Sequence, residues 1–495
     1  MRATHAAADF AAAFAALALA ACTVGPDFRA PDPTTSTHYL ADAPPATIGT
    51  GVSAQRFASA DDIRADWWAL FAAPRLDALV ADALRASPTL AEARARLVAA
   101  EETQSAGASA AAWPSANLRA GLERQRIDPS VLGFPQAPNP GPFNLVDVGV
   151  DVGYSLDVFG GTRRSLEGLA ADVDYARYEL EAAQRTLAAN LVTAALREAS
   201  LAAQRDALVK IVAARRDTLA IAQKRFALGA IAEVDLASQR AALADAEARI
   251  PPIDAELART AHRLAIYAGR EPAQWHEATF TLAEFALPPE IPLTLPSTLA
   301  ARRPDIRASE ALWHRASADI GVATAALYPQ FSFSGSASST HSSLADIARG
   351  INIWSIALDL VQPLLRGPEL KARKRAAIAA FDAAREAYRA SVLHGLQQVA
   401  DAMRALEADA REESARASAE AAAAHARDIT QKRYALGGVS ELERLDAERT
   451  YLDAVLAHAE ATAARYADTA ALLDALGGGW WPGASVIPAN AGIQP

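Results

Sequence analysis

The stretch Leu145-Val146-Asp147-Val148-Gly149-Val150-Asp151-Val152-Gly153-Tyr154-Ser155-Leu156-Asp157-Val158 has a period of two without a break. Every even position is apolar or Tyr, and every odd position from Asp147 to Asp157 is Asp, Gly or Ser. Successive side chains of a strand point to opposite faces, so this pattern predicts a strand with one apolar and one polar side. Three further stretches share it. Ala116, Leu118, Ala120 and Leu122 alternate with Asn117, Arg119, Gly121 and Glu123. Phe331 and Phe333 alternate with Ser332 and Ser334, and Trp354, Ile356, Leu358 and Leu360 with Ser355, Ala357 and Asp359. Strands are expected over residues 115–125, 145–158, 330–339 and 351–361.

Each stretch is about as long as a tilted membrane strand, roughly 9–11 residues. A soluble sheet with one wet face alternates in the same way. The polar side here carries Asp, Ser and Gly, which suits a water-filled lumen, and Trp113, Tyr328 and Phe159 stand at strand ends, where interfacial aromatics lie. Four strands cannot close a barrel, since the smallest membrane barrels have about 8. An open sheet edge in lipid leaves N–H and C=O groups unpaired. If the strands span, several chains must share one barrel.

The strands belong to an internal duplication. Gln223-Lys224-Arg225-Phe226-Ala227-Leu228-Gly229 recurs as Gln431-Lys432-Arg433-Tyr434-Ala435-Leu436-Gly437. Trp113-Pro114 corresponds to Tyr328-Pro329, and Asp157-Val158-Phe159-Gly160-Gly161 to Pro363-Leu364-Leu365-Arg366-Gly367. Each copy reads helix, strand, loop, strand, long helix, Gly turn, helix. From Thr162 to Leu228 there is no Pro and only Gly168; from Glu369 to Leu436 there is no Pro and only Gly395. A helix of about 65 residues would be about 100 Å long. Lengths of that order imply coiled-coil packing, here as two hairpins turning at Gly229 and Gly437. Pro251-Pro252 should kink the first return helix. The organisation expected is a signal peptide over 1–21, a Pro- and Thr-rich lipidated tether over 22–59 and a first repeat over 60–270 with its hairpin over 162–268. An equatorial segment over 271–300, a second repeat over 301–479 with its hairpin over 368–476, and a disordered tail over 480–495 follow. Within the first repeat, helical patterning runs from Asp61-Asp62 to Ala86 and from Pro88 to Ala112.

The N-terminus has the layout of a secretory signal: Arg2, an apolar run from Phe10 to Ala21, and small residues before Cys22. Leu19-Ala20-Ala21-Cys22 matches the bacterial lipobox, so Cys22, the one cysteine, is the expected lipidation site; a buried structural cysteine is the other reading. Thr23, not Asp, follows it, which favours sorting to the outer membrane. Net charge is -10 with no basic block, which argues against a nucleic-acid partner. Nine histidines are scattered, none at metal-ligand spacing, and no phosphate-binding loop or nucleophile elbow occurs. No metal, no cofactor other than a covalent lipid (palmitate) on Cys22, and no enzymatic activity are expected.

Assembled, these parts resemble the TolC-like outer-membrane factors, in their lipoprotein branch. The resemblance rests on Cys22-Thr23-Val24-Gly25-Pro26-Asp27-Phe28, Trp67-Trp68 with Phe71, Arg225-Phe226, Arg433-Tyr434, Ile250-Pro251-Pro252, Arg302-Arg303-Pro304-Asp305 and Ala475-Leu476-Gly477-Gly478-Gly479-Trp480, in order along nearly all the mature chain. It implies a mainly α protein with a membrane β-barrel portion. Three chains would share a twelve-stranded barrel joined to a long α-helical barrel. It also implies a periplasmic adaptor protein and an inner-membrane pump, of the RND type, as partners. Leu228, Gly229, Ala230, Leu436, Gly437 and Gly438 would meet the adaptor, although turn chemistry alone also accounts for the glycines. Aligned on those glycines, Asp235, Glu443 and Asp446 fall where the family has acidic gating rings; surface carboxylates on a helix are the competing reading. A basic residue that locks the gate in some relatives is replaced by Val439, and Arg444 is nearby but not aligned.

The function expected is a passive outer-membrane exit channel for small molecules. A channel for polypeptide secretion and a non-transport surface lipoprotein are the alternatives.

Overall fold

The computed structural model describes residues 23–478 apart from 31, 33–35, 43–44, 50–53, 61–62, 127, 129–132, 134–135, 137 and 140. The expected signal peptide, Cys22 and the 480–495 tail therefore lie outside the described residues. The chain forms two compact units, one of residues 1–31, 96–176 and 309–388, the other of 32–95, 177–308 and 389–495.

The first unit is built around a four-stranded antiparallel sheet of β3 (Ser115–Gln125), β4 (Phe143–Leu156), β6 (Gln330–His341) and β7 (Ile353–Val361) in the order β3-β4-β6-β7. The strands of the two repeats thus meet at β4 and β6, while β3 and β7 are outer strands, each paired on one side only. Strand ends differ from the sequence reading for identifiable reasons. Asp157 leaves β4 because its carboxylate accepts the backbone N–H groups of Thr162 (2.9 Å) and Arg163 (2.8 Å), capping the long helix that follows. Asn352 precedes β7, where its side chain donates to the carbonyl of Thr340 and accepts from its N–H, both at 2.8 Å. A side chain there takes the place of a ladder residue, and β6 runs on to His341.

The long helices are α3 (Gly161–Ala227, 67 residues) and α8 (Gly367–Ala435, 69 residues). Ala, Leu, Glu and Arg dominate both, the residues with the strongest helical preference, and no proline interrupts them. Two shorter helices, α2 (Pro88–Ala112) and α7 (Pro304–Ala325), precede β3 and β6. In the first unit, small residues let these helices close up. A Cβ on Gly107 would lie 2.8 Å from Leu169, and one on Gly321 would lie 2.5 Å from the Arg164 side chain.

In the second unit, α4 (Glu233–Ala248) and α5 (Ile250–Tyr267) return beside α3, and α9 (Glu441–Ala475) beside α8. The expected kink falls at Arg249, the one residue between α4 and α5, which keeps helical dihedrals (φ -77°, ψ -21°). Pro251 and Pro252 lack the N–H groups that would continue α4, so they open α5 instead. Ala207, Leu208, Ile211 and Val212 of α3 pack on Ala246, Leu452 and Leu456, forming one coiled-coil seam.

A larger core collects Trp67, Phe71, Leu76, Leu191, Leu264 and Leu472, among others. Here the sequence reading needs two corrections. The helical pattern before Ala86 is a 3-10 turn over Trp67–Phe71 followed by α1 (Pro74–Ala86), separated at Ala72, whose φ is 51°. The 22–59 segment is not a free tether. Its residues form β1 (Thr47–Ile48) and β2 (Gln55–Ser59), and β2 pairs in parallel with β5 (Glu290–Leu293). The reason is a buried polar anchor. Arg465, wholly buried, donates to Gln55 at 3.1 Å, pairs with Glu413 and reaches the Ile48 carbonyl at 3.4 Å. Unpaired, that guanidinium would cost several kcal/mol. The 271–300 segment likewise buries Phe280 and Phe285, and Tyr466 donates to the Phe285 carbonyl at 3.0 Å. It ends in α6 (Pro296–Arg302).

Candidate functional site

The register of the sheet puts all four alternations in phase. Leu118 lies opposite Val150, Val150 opposite Ala337, and Ala337 opposite Trp354. Ala116, Val152, Gly335 and Ile356 form the next row, and Tyr154, Phe333 and Leu358 share another. One face is therefore apolar across every strand, and it is exposed: Leu118 is 77% accessible, Leu122 73%, Trp354 72% and Ile356 68%. An apolar sheet face left open to this extent marks a surface that meets a membrane or another protein.

The opposite face is mainly polar, with Ala357 in its middle and Phe143, Leu145, Ile353 and Val361 toward the strand ends. Arg119 faces Gly149 and forks across it, donating to Asp147 at 3.0 Å and Asp151 at 3.1 Å. Gly149 has no room for more, since a Cβ would lie 2.5 Å from that of Ser338. Thr340 donates to Asp147 at 2.6 Å, Ser336 and Ser355 share a hydrogen bond of 2.9 Å, and Ser334 donates to Asp359 at 3.3 Å. Hydroxyls and carboxylates thus satisfy one another on a face that water can wet. Where the sheet meets α3, Phe159 and Tyr328 stack with ring centroids 4.7 Å apart.

The residues just after Cys22 are held at this same junction. Val24 donates to the Phe159 carbonyl at 3.2 Å. Arg164, nearly buried, donates to Asp27 at 2.6 Å and Glu167 at 2.7 Å. Glu167 pairs with His314 at 2.9 Å, and Phe28 stacks on that imidazole with centroids 4.4 Å apart. Sequence reading missed this clamp, because Arg164 and Asp27 are 137 residues apart. Its one local sign is Gly25, with φ +98°, where a Cβ would lie 2.5 Å from the Cα of Gly321.

The hairpin tips are two copies of one turn. Gly229 donates to Phe226 (2.9 Å) and Ala230 to Arg225 (2.8 Å); Gly437 donates to Tyr434 (2.9 Å) and Gly438 to Arg433 (2.8 Å). This is the Schellman arrangement, and φ of +69° and +72° at Gly229 and Gly437 explains both glycines. Leu228 and Leu436 project from the tips, 83% and 88% exposed.

Beyond the tips the acidic residues divide. Asp235 accepts from the Ala232 N–H at 3.2 Å, and Glu443 forms a capping box with Ser440, at 2.7 and 3.2 Å. Asp446 pairs with Arg449 at 2.8 Å. Glu443 and Asp446 line one cleft of 460 Å³ together with Arg215 and Arg449; Asp235 is outside it, although Gln239 lines it. All three carboxylates are exposed. Arg444 is fixed within its own tip, donating to Glu441 at 2.6 Å and lying 5.8 Å from the Tyr434 ring. Its hydrogen bond holds the Glu441 carboxyl below the usual range, and the Tyr434–Glu441 hydrogen bond pushes the phenol up. In the first tip Phe226 and Leu236 stand in these places, so that tip has no such lock. Among the described residues no cluster of His, Cys, Asp or Glu suits a metal ion, and no helix is long and apolar enough to cross a membrane.

A family model described as outer membrane efflux protein matches residues 79–270 and 295–478, which takes in both repeats. The chain belongs to the outer membrane efflux protein family. Its relatives include the pyoverdine export outer membrane protein OpmQ of Pseudomonas aeruginosa, 29% identical over 85% of this chain and 88% of that protein. Outer membrane protein OprJ of the same organism is 28% identical over 96% of this chain and 97% of its own length. The solved outer-membrane channel OprN superposes with a TM-score of 0.80 at 29% identity, covering 93% of this chain and 100% of that one. The exposed apolar sheet face accords with an outer-membrane family. The family is one of transport channels.

Proposed function

We propose that the chain is a passive outer-membrane exit conduit for small molecules in a tripartite efflux assembly. Three copies each lend four strands to one barrel, and Cys22 anchors each copy through its lipid. The observation that carries this reading is the phased sheet with two open edges. β3 and β7 run in opposite directions, so β7 of one copy and β3 of the next would pair antiparallel and leave no edge in lipid. The number three is what the resemblance to TolC-like factors implies. The clamp on residues 23–28 supports the anchor, since it holds the chain after Cys22 beside the aromatic pair at the foot of the sheet.

The hairpin tips, with Leu228, Gly229, Ala230, Leu436, Gly437 and Gly438, would dock a periplasmic adaptor, and an inner-membrane pump of the RND type would supply the energy. Glu443 and Asp446 are the better-supported gate carboxylates, because they share one cleft; Asp235 is proposed to act with them from the neighbouring turn. The small-molecule substrate class follows relatives such as OpmQ, whose name assigns it pyoverdine export. The test is loss of the protein in its own cell. A pump substrate should then be retained, and normal extrusion with no paralogue to substitute would overturn the reading. In planar bilayers, Glu443→Gln with Asp446→Asn should lower the preference of the channel for cations.

A further inference from the structure

Within the net charge of -10, the sequence reading of no basic block needs one correction. Lys371-Ala372-Arg373-Lys374-Arg375 places four cations in five residues, in the opening turns of α8 directly after β7. Arg373 pairs with Glu369 at 2.7 Å, as does Arg366 at 2.8 Å. Lys371, Lys374 and Arg375 have no acidic partner among the described residues. Lys371 and Arg375 are exposed and Lys374 is half-buried.

The duplication provides an internal comparison. At the equivalent junction of the first repeat, Arg163 is held by Asp157, and Arg164 by Asp27 and Glu167. In the second repeat Pro363 stands where Asp157 would be. By the same correspondence Arg163 and Arg164 match Glu369 and Leu370, while Lys371, Lys374 and Arg375 match Ser165, Gly168 and Leu169, so the basic run belongs to the second repeat alone. Its cations do not serve the helix, because cations near its start oppose the macrodipole. Immediately before them, in the turn after β7, Leu364 and Leu365 are 84% and 96% exposed, a few residues beyond the exposed Leu358 and Leu360. Along the chain the order is apolar strand, apolar turn, basic helix. At a rise of about 1.5 Å per residue, the three cations stand roughly 6–12 Å beyond the helix start, within snorkelling reach of a headgroup layer.

We propose that Lys371, Lys374 and Arg375, together with the exposed Leu364-Leu365 turn, form a binding surface for anionic phospholipid headgroups in the leaflet that borders the long helices. The proposal rests on the channel reading, which puts the sheet in the membrane and α8 below it. The leucines would enter the acyl region while the three cations meet headgroup phosphates, fixing the depth of the sheet in the bilayer.

The experiment is a lipid titration of the full-length protein in detergent, followed by native mass spectrometry, with phosphatidylglycerol against phosphatidylcholine. Wild type should prefer phosphatidylglycerol. Lys371→Gln/Lys374→Gln/Arg375→Gln should reduce that preference by about tenfold to a hundredfold, given the worth of each cation at an anionic surface. Rising salt should erase it in wild type without any substitution. Arg205→Gln/Lys210→Gln/Arg216→Gln, a matched triple, should leave it intact.

An equal loss in both triples, or competition by inorganic phosphate as effective as by the lipid, would overturn the proposal. So would an altered bilayer reversal potential with unchanged lipid preference, which would put the cations in the lumen. Dissociation of the oligomer with unchanged lipid preference would assign them to an interface between copies and count equally against it. A conducting wild type with no lipid preference would sink this proposal alone; a wild type that never conducts would sink the channel reading.

Discussion

The guanidinium of Arg303 donates to the backbone carbonyl of Ala475 at 2.9 Å, across 172 residues of chain. Ala475 ends α9, so its carbonyl is one that the helix itself cannot satisfy. The same guanidinium meets Asp305 at 2.9 and 2.7 Å and Gln398 at 2.6 Å, with its side chain 1% exposed. Arg303 therefore joins the start of α7, the middle of α8 and the end of α9.

Replacing Arg303 with Ala should destabilise the second unit by about 1–3 kcal/mol, because it leaves the helix-end carbonyl of Ala475 unpaired and removes the partner of the half-exposed Asp305 carboxylate. The Lys variant should recover little, since one ammonium cannot occupy the same fork. Burial raises the Asp305 carboxyl, but Arg303 outweighs this and holds it below the ordinary value. That contribution is present above the unfolded carboxylate range and is lost as pH falls through the folded value. Unfolding curves at pH 7 and at successively lower pH would check both statements.

Gly321→Ala should release the N-terminal clamp. The new methyl would lie 2.5 Å from the Arg164 side chain, and Gly25 packs on the Gly321 backbone. A cost of about 1–3 kcal/mol is expected from overpacking. The readout is limited trypsin cleavage at Arg29, slow in wild type and faster in the variant.

Asp409 and Asp468 face each other between α8 and α9, with Glu412 adding charge of the same sign and Arg465 opposing it. Burial first, then Asp468, pushes the Asp409 carboxyl up to about 7. Since the folded value exceeds the unfolded one, the folded state holds an extra proton between about pH 4 and 7. Stability should fall as pH rises through that window and level off above it. Asp409→Asn should raise the melting temperature at pH 8 and change it little at pH 4. A pH-independent effect would refute the assignment.

The two sheet faces should tolerate charge very differently. Val150→Arg, on the apolar face, should cost about 2–4 kcal/mol in bilayer-folded protein. Asn117→Arg, on the polar face one row away, should cost under about 1 kcal/mol. Refolding into lipid vesicles under a urea gradient measures both, and equal costs would contradict a lipid-facing apolar side.

Arg444→Ala should free Glu441 and Tyr434 in the second tip and leave the first tip unaffected, because Phe226 and Leu236 make no equivalent contacts. Faster backbone hydrogen exchange confined to residues near Gly437, with no change near Gly229, would confirm the asymmetry.

What the sequence determined by itself was everything with a short period. Alternation over residues 145–158 marked β4, because a strand exposes its two faces at each step. The absence of proline between Thr162 and Leu228 marked α3, and Gly229 and Gly437 marked its turn and that of α8, because a left-handed residue ends a helix most cheaply as glycine. Repetition of these local signals made the duplication visible, and with it the resemblance to efflux channels. The tertiary structure decided what depends on residues far apart in the chain. It brought Arg119 over Gly149, put Leu118 and Trp354 in one row, and carried Arg164 to Asp27 and Arg465 to Gln55. It turned an expected tether into strands and divided Glu443 and Asp446 from Asp235. Such pairings are chosen by the need to satisfy buried polar groups and to align faces across strands, and no single stretch of sequence contains both partners.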